Sequence, residues 1–124
     1  MPLATSYDIL LPALKGGYAV GAFNANNLES VKAVINACEE HESPVILQVS
    51  QGAIKYAGLE EATAMVTAAA GKTKIPVALH LDHGTSYEQN VQCLRAGFTS
   101  LMFDGSKETF EENVRLSAEI ARMV

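Results

Sequence analysis

Four times in succession, a short apolar segment with a period of two gives way to one with a period near 3.6. The first extended segment reads as Tyr18 to Asn24. Asn26 or Asn27 then caps a helix whose apolar stripe is Leu28, Val31, Val34, Ile35 and Cys38. Pro44 restarts the chain as a β-branched run from Val45 to Ser50, followed by a loop, Ser50-Gln51-Gly52-Ala53. After Gly58, a second helix turns Leu59, Ala62, Met65, Val66 and Ala69 inward, with Gly71 as its stop. The third strand, Ile75 to Asp82, sets Val77, Leu79 and Leu81 against Ala78, His80 and Asp82. Ser86 and Gln89 form a capping box for a helix that ends at Gly97. A fourth strand, Phe98 to Asp104, leads to a last helix over about Thr109 to Met123, with Thr109 and Glu112 as a second box. Ahead of all this, Ser6 to Leu14 reads as a short helix that Pro12 should kink or end.

Strand–helix units of about 27 residues imply an α/β fold with parallel strands and right-handed crossovers. Nothing in the sequence marks a linker, so residues 1–124 read as one domain. A small doubly wound sheet fits the pattern, and so does half of an eight-stranded barrel, since a complete one takes about 250 residues. With 48% hydrophobic and 19% charged residues the chain is globular. A net charge of −5 with scattered Lys and Arg argues against nucleic acid as a partner. No apolar run approaches the roughly 20 residues needed to span a membrane. Met1 to Leu14 has no secretory-signal pattern, and Cys38 and Cys93 read as buried, reduced thiols, so the expected setting is cytoplasmic.

Each strand finishes on a polar residue: Asn24, Ser50, Asp82 and Asp104. Such residues start turns and cap helices anywhere, but in a barrel this end of the strands is where active sites form. Asp82-His83-Gly84 is the sharpest local signal, a carboxylate beside an imidazole at a strand end, with Gly84 permitting a tight turn. His83 and Asp104, with Asp82 possible, are the metal-ligating candidates at that end, too few to complete a site. His80 lies a layer deeper and reads as a hydrogen-bonded interior residue; His41 reads as a surface one. No phosphate-cradling glycine motif for nucleotides and no nucleophile elbow is present.

Gly21-Ala22-Phe23-Asn24-Ala25-Asn26-Asn27, Ser50-Gln51-Gly52-Ala53, Val77 to Gly84 and Met102-Phe103-Asp104-Gly105-Ser106 together resemble the N-terminal half of class II, zinc-dependent ketose-bisphosphate aldolases. The resemblance runs over essentially the whole chain and implies the first (βα)4 half of a TIM (β/α)8 barrel. It implies a lyase that reversibly cleaves fructose bisphosphate to dihydroxyacetone phosphate and glyceraldehyde 3-phosphate, with tagatose bisphosphate as the alternative substrate. Asp82 then matches the carboxylate that takes the C4 hydroxyl proton, and His83 matches a catalytic zinc ligand. Asp104 matches the aspartate of a second cation position; Asn24 and Ser50 match residues lining the substrate site. Zinc would act as Lewis acid, so neither Lys55 nor Lys107 is needed as a Schiff-base amine. In the family the remaining zinc histidines and phosphate loops belong to a second half with no counterpart in this sequence. The resemblance therefore implies either a piece of a longer aldolase or a chain partnered by a complementary half-barrel or a second copy. The rival readings are a catalytically silent half-barrel that binds sugar phosphates or serves assembly, and a flavodoxin-like binding domain.

Overall fold

The computed structural model describes residues 2–124; Met1, the first residue of the domain read over 1–124, lies outside them. In chain order the elements are α1 (Ser6–Gly16), β1 (Ala22–Asn24), α2 (Leu28–Glu40), β2 (Val45–Ser50), α3 (Gln51–Ala57), α4 (Leu59–Gly71), β3 (Val77–Gly84), α5 (Tyr87–Ala96), β4 (Ser100–Phe103) and α6 (Phe110–Met123). All strands are parallel and lie in the order β1-β2-β3-β4. A sheet that grows in one direction through right-handed crossovers keeps its crossover helices on one side. A doubly wound sheet must instead reverse its direction of growth. The strand order therefore selects the half-barrel.

The core lies between the sheet and that helical layer. Val45, Leu47, Val49, Val77, Leu79 and Leu81 point into it, each no more than 1% exposed, and meet Val31, Ile35, Val66 and Cys93 from α2, α4 and α5. Burying a side chain of this size is worth about 1.5–3 kcal/mol relative to leaving it in water. These residues make β2 and β3 the rigid centre of the sheet. The α2 start is fixed reciprocally: Asn27 Oδ1 accepts from the Ser30 amide at 2.8 Å, and Ser30 Oγ accepts from the Asn27 amide at 3.1 Å.

Several local expectations are corrected. Pro12 does not end α1, which runs on to Gly16. Pro12 and Asp8 are both exposed, so the carbonyl that loses its helical donor faces solvent. The helix is also anchored at its start, where Thr5 and Asp8 cap each other. Gln51-Gly52-Ala53, expected as loop, is the first turn of α3, because Ser50 Oγ accepts from the Ala53 amide at 3.1 Å. β1 begins at Ala22 rather than Tyr18, where pairing with Ile46 starts; β4 is shorter than read at both ends, and β3 is shifted to run two residues further. Gly71 is the last helical residue and Lys72 the cap. Both expected capping boxes are half formed. Gln89 Oε1 reaches the Thr85 amide instead of Ser86, and Glu112 turns to Arg115.

The other face of the sheet is concave in a barrel, and it is layered. Ala22, Ile46 and Ala78 share its lowest layer; Asn24, Gln48, His80 and Ser100 share the next; Ser50 and Asp82 lie above. A four-stranded half-barrel would leave Ile46 and Ala78 open on this face, but they are buried under Ile9 of α1. The Ala4 amide, just ahead of α1, ties this segment to the Val77 carbonyl at 2.8 Å. The floor of the half-barrel is therefore closed by α1 and its top is left for polar groups. Among the described residues, no helix is long and apolar enough to cross a membrane.

Candidate functional site

Strict alternation along β3 would send Asp82 and His83 to opposite faces. A β-bulge prevents this. Leu81 pairs with Leu101 and Gly84 with Phe103, so Asp82 and His83 together oppose the single residue Met102. The extra residue bends the strand and re-aims its side chains. His83 takes a left-handed backbone at φ +58°, an unusual choice for a residue with a Cβ, costing of order 1–3 kcal/mol. Gly84 contributes through close approach rather than a positive φ: a Cβ there would lie 2.8 Å from Asn90 Nδ2 and 3.0 Å from the Met102 carbonyl. The same Asn90 is wholly buried and donates Nδ2 to the Ser86 carbonyl at 2.9 Å, bracing the following turn.

The bulge brings Asp82, His83 and Asp104 together. His83 Nε2 is 3.6 Å from Asp82 Oδ1, and its Nδ1 is 2.8 Å from Asp104 Oδ2. The imidazole is 58% exposed on its side chain, so a ligand can approach it. Asp104 is occupied on both oxygens, because Oδ1 accepts from the Ser106 amide at 2.9 Å. The Ser106 hydroxyl and amide, and then His83, hold the Asp104 carboxyl well below the usual carboxylate range. An ionised Asp104 can only accept, so neutral His83 keeps its proton on Nδ1 and leaves the Nε2 lone pair free. The Asp104 hydrogen bond, and next the charge of Asp82, raise the His83 pKa. A carboxylate behind an imidazole in this way orients it for a metal and strengthens it as a ligand. Among the described residues no group of three or more His, Cys, Asp or Glu side chains is arranged to hold a metal ion. His83 Nε2 thus fits one place in a coordination sphere, with the Asp82 carboxylate beside it and Asp104 behind it.

Asn24 and Ser50 lie at the same end but are not part of this cluster. Asn24 Oδ1 accepts from Gln48 Nε2 at 2.8 Å, and Ser50 Oγ caps α3, leaving its proton to offer. Below Asp82, His80 Nδ1 is 2.6 Å from Ser100 Oγ, the interior hydrogen bond expected of it. His41 is exposed at the end of α2, also as expected. The sequence assigned no role to the side chains of Gln48, Gln51, Ser100 and Ser106, although Gln51 and Ser106 stood inside the quoted motifs. Gln48 and Ser100 had a usable signal, since each is polar at an inward position of its strand. Burial holds the His80 pKa below its ordinary value, against the opposing pull of Asp82. Folding disfavours His80 protonation, so its contribution to stability is full above about pH 6.5 and declines as pH falls below that value. His83 has the opposite sign: its contribution is full below about pH 6.5 and is lost as pH rises through its raised pKa. The His80 contribution is isolated by substitution: on going from about pH 7 to pH 5, the urea midpoint of His80→Gln is expected to fall less, or rise more, than that of the wild type.

Comparison with known proteins shows one family and one fold. The family described as fructose-bisphosphate aldolase class-II matches residues 4–124. A fructose-bisphosphate aldolase of Thermus caldophilus is 54% identical over 91% of this chain and 37% of its own length. A probable fructose-bisphosphate aldolase of Bacillus subtilis is 48% identical over 99% of this chain and 44% of its own. The crystal structure of the YdjI aldolase from Escherichia coli K12 superposes with a TM-score of 0.91 at 36% identity, covering 98% of this chain and 47% of that one. The chain thus spans less than half the length of each of these relatives.

Proposed function

The chain belongs to the class-II fructose-bisphosphate aldolase family, and from that membership we propose that it supplies the β1–β4 half of a zinc-dependent aldolase site. The reaction is the reversible cleavage of fructose bisphosphate to dihydroxyacetone phosphate and glyceraldehyde 3-phosphate, in a cytoplasmic, glycolytic setting. One observation carries the reading: the β3 bulge sets a carboxylate and a carboxylate-backed imidazole side by side at the strand end. Asp82 takes the proton from the C4 hydroxyl in cleavage and returns it in condensation. His83 offers Nε2 to zinc, and Asp104 serves the metal through His83 by fixing its Nδ1 proton. Zinc, when bound, supplies Lewis acidity toward the triose-phosphate carbonyl. Asn24 and Ser50, at the ends of the neighbouring strands, bind the sugar chain by hydrogen bonds. The remaining ligands come from segments outside these 124 residues, whether a second half of the same protein, a complementary half-barrel or another copy.

The test is reconstitution. The purified chain, alone and mixed with the C-terminal part of the Bacillus subtilis relative, is assayed for fructose-bisphosphate cleavage and for zinc after dialysis. Alone, it is expected to retain well under one zinc per chain and to show no cleavage, because each missing ligand leaves a position to water. The mixture is expected to gain both. Tight, stoichiometric zinc in the chain alone would show a ligand set other than this one. A mixture that assembles and holds zinc without cleaving would favour a silent, sugar-phosphate-binding half-barrel.

A further inference from the structure

The left-handed backbone of His83 needs something to select it, and the structure assigns that task to Gln51. Gln51 is the first residue of α3, more than thirty positions earlier in the chain. Its Nε2 donates to the His83 carbonyl at 2.8 Å and to Thr85 Oγ1 at 2.7 Å. A carboxamide nitrogen has two hydrogens, and here both are committed to one short segment on either side of Gly84. Other bonds hold the flanks of the turn. The Asp104 amide donates to the Gly84 carbonyl at 2.8 Å, and the Thr85 amide donates to Gln89 Oε1 at 3.3 Å. Gln51 is the side chain that grips the His83 carbonyl itself.

We propose that Gln51 is a positioning residue: its two hydrogen bonds hold the His83 peptide in the left-handed conformation that keeps Nδ1 on Asp104 and Nε2 beside Asp82. It touches no reacting atom. The inference rests on the reading of His83 as a metal ligand only for its consequence, not for the positioning. Ser50 ends β2 and caps α3, so the clamp is built on a rigid strand rather than on a mobile loop. A residue that orients a ligand in this indirect way typically controls metal affinity by 10–100-fold.

The test uses the chain labelled with 13C and 15N in its histidines, in solution or, for an assembled species, under magic-angle spinning. His83→Ala identifies the His83 signals. Wild type is expected to show left-handed backbone shifts at His83 and a proton on Nδ1. Gln51→Met, which keeps the length and removes the donors, is expected to shift both toward extended backbone and a tautomer mixture. His41 and His80 should stay in place as a check on folding, and Gln51→Ala is a second variant should Met not be accommodated. Titrated Co2+ should broaden the wild-type His83 signals, and the half-broadening concentration should rise at least about tenfold in Gln51→Met. Unchanged His83 shifts in both Gln51 variants, or extended shifts in wild type, overturn the proposal. Shifts that move as expected while Co2+ leaves wild-type His83 untouched would uphold the positioning and refute the metal role.

Discussion

Asp82→Ala is expected to lower turnover by about two to four orders of magnitude in the reconstituted enzyme, the usual range for a positioned acid/base group. Asp82 pairs with Ser50 on the concave face and is about one-fifth exposed, open to a substrate hydroxyl but held by the centre of the sheet. Alanine removes the proton acceptor and leaves the His83–Asp104 pair untouched at 2.8 Å, so zinc content should largely survive. Metal measured beside turnover separates the two roles. Near-normal turnover in Asp82→Ala would remove Asp82 from the mechanism, whereas loss of zinc together with turnover would make it a ligand instead.

The isolated chain is expected to associate rather than persist as a monomer. Its two outer strands, β1 and β4, each leave a row of backbone groups unpaired, a feature natural proteins avoid leaving long, flat and open. The accessible surface is 7345 Å² for 13.2 kDa, about 900 Å² above the scaling for folded monomers. Part of that excess is apolar and contiguous. Tyr7, Leu10 and Leu14 form a stripe along α1 and are 70%, 45% and 80% exposed. Tyr7 continues into a groove of about 820 Å³ beside β4, lined by Leu101, Phe103, Ile120 and Val124. Covering a few hundred Å² of such surface favours association by roughly 5–10 kcal/mol before the loss of translational freedom is subtracted. Light scattering across a concentration series should show mass rising with concentration, and a hydrophobic dye should bind less as it does. A monodisperse monomer that binds no dye would contradict the half-barrel reading of these edges.

The periodicities carried far, and they failed where structure depends on a partner in space. Val77, Leu79 and Leu81 against Ala78, His80 and Asp82 announced both faces of β3, because side-chain direction in a strand repeats every two residues. α3 was missed because seven residues are too few to show a helical period, and Gly52 within them reads as a loop. The persistence of α1 through Pro12 depended on which side of the helix faced solvent. Ile9 sealing Ile46 and Ala78 depended on where α1 lay once the sheet existed.

The site divides along the same line. That Asp82, His83 and Asp104 stand at one end of parallel strands follows from the order and period of the strand and helix segments, which are local properties of the chain. That Asp82 and His83 act as a pair does not. It requires one residue too many on β3 against β4, a mismatch that exists only when the two strands are in register. It requires, too, a carboxamide arriving from α3 to hold the His83 carbonyl. The sequence by itself determined which chemical groups reach the strand ends. Tertiary structure decided their directions, because a bulge and a hydrogen bond between distant segments are properties of paired backbones and not of either strand alone.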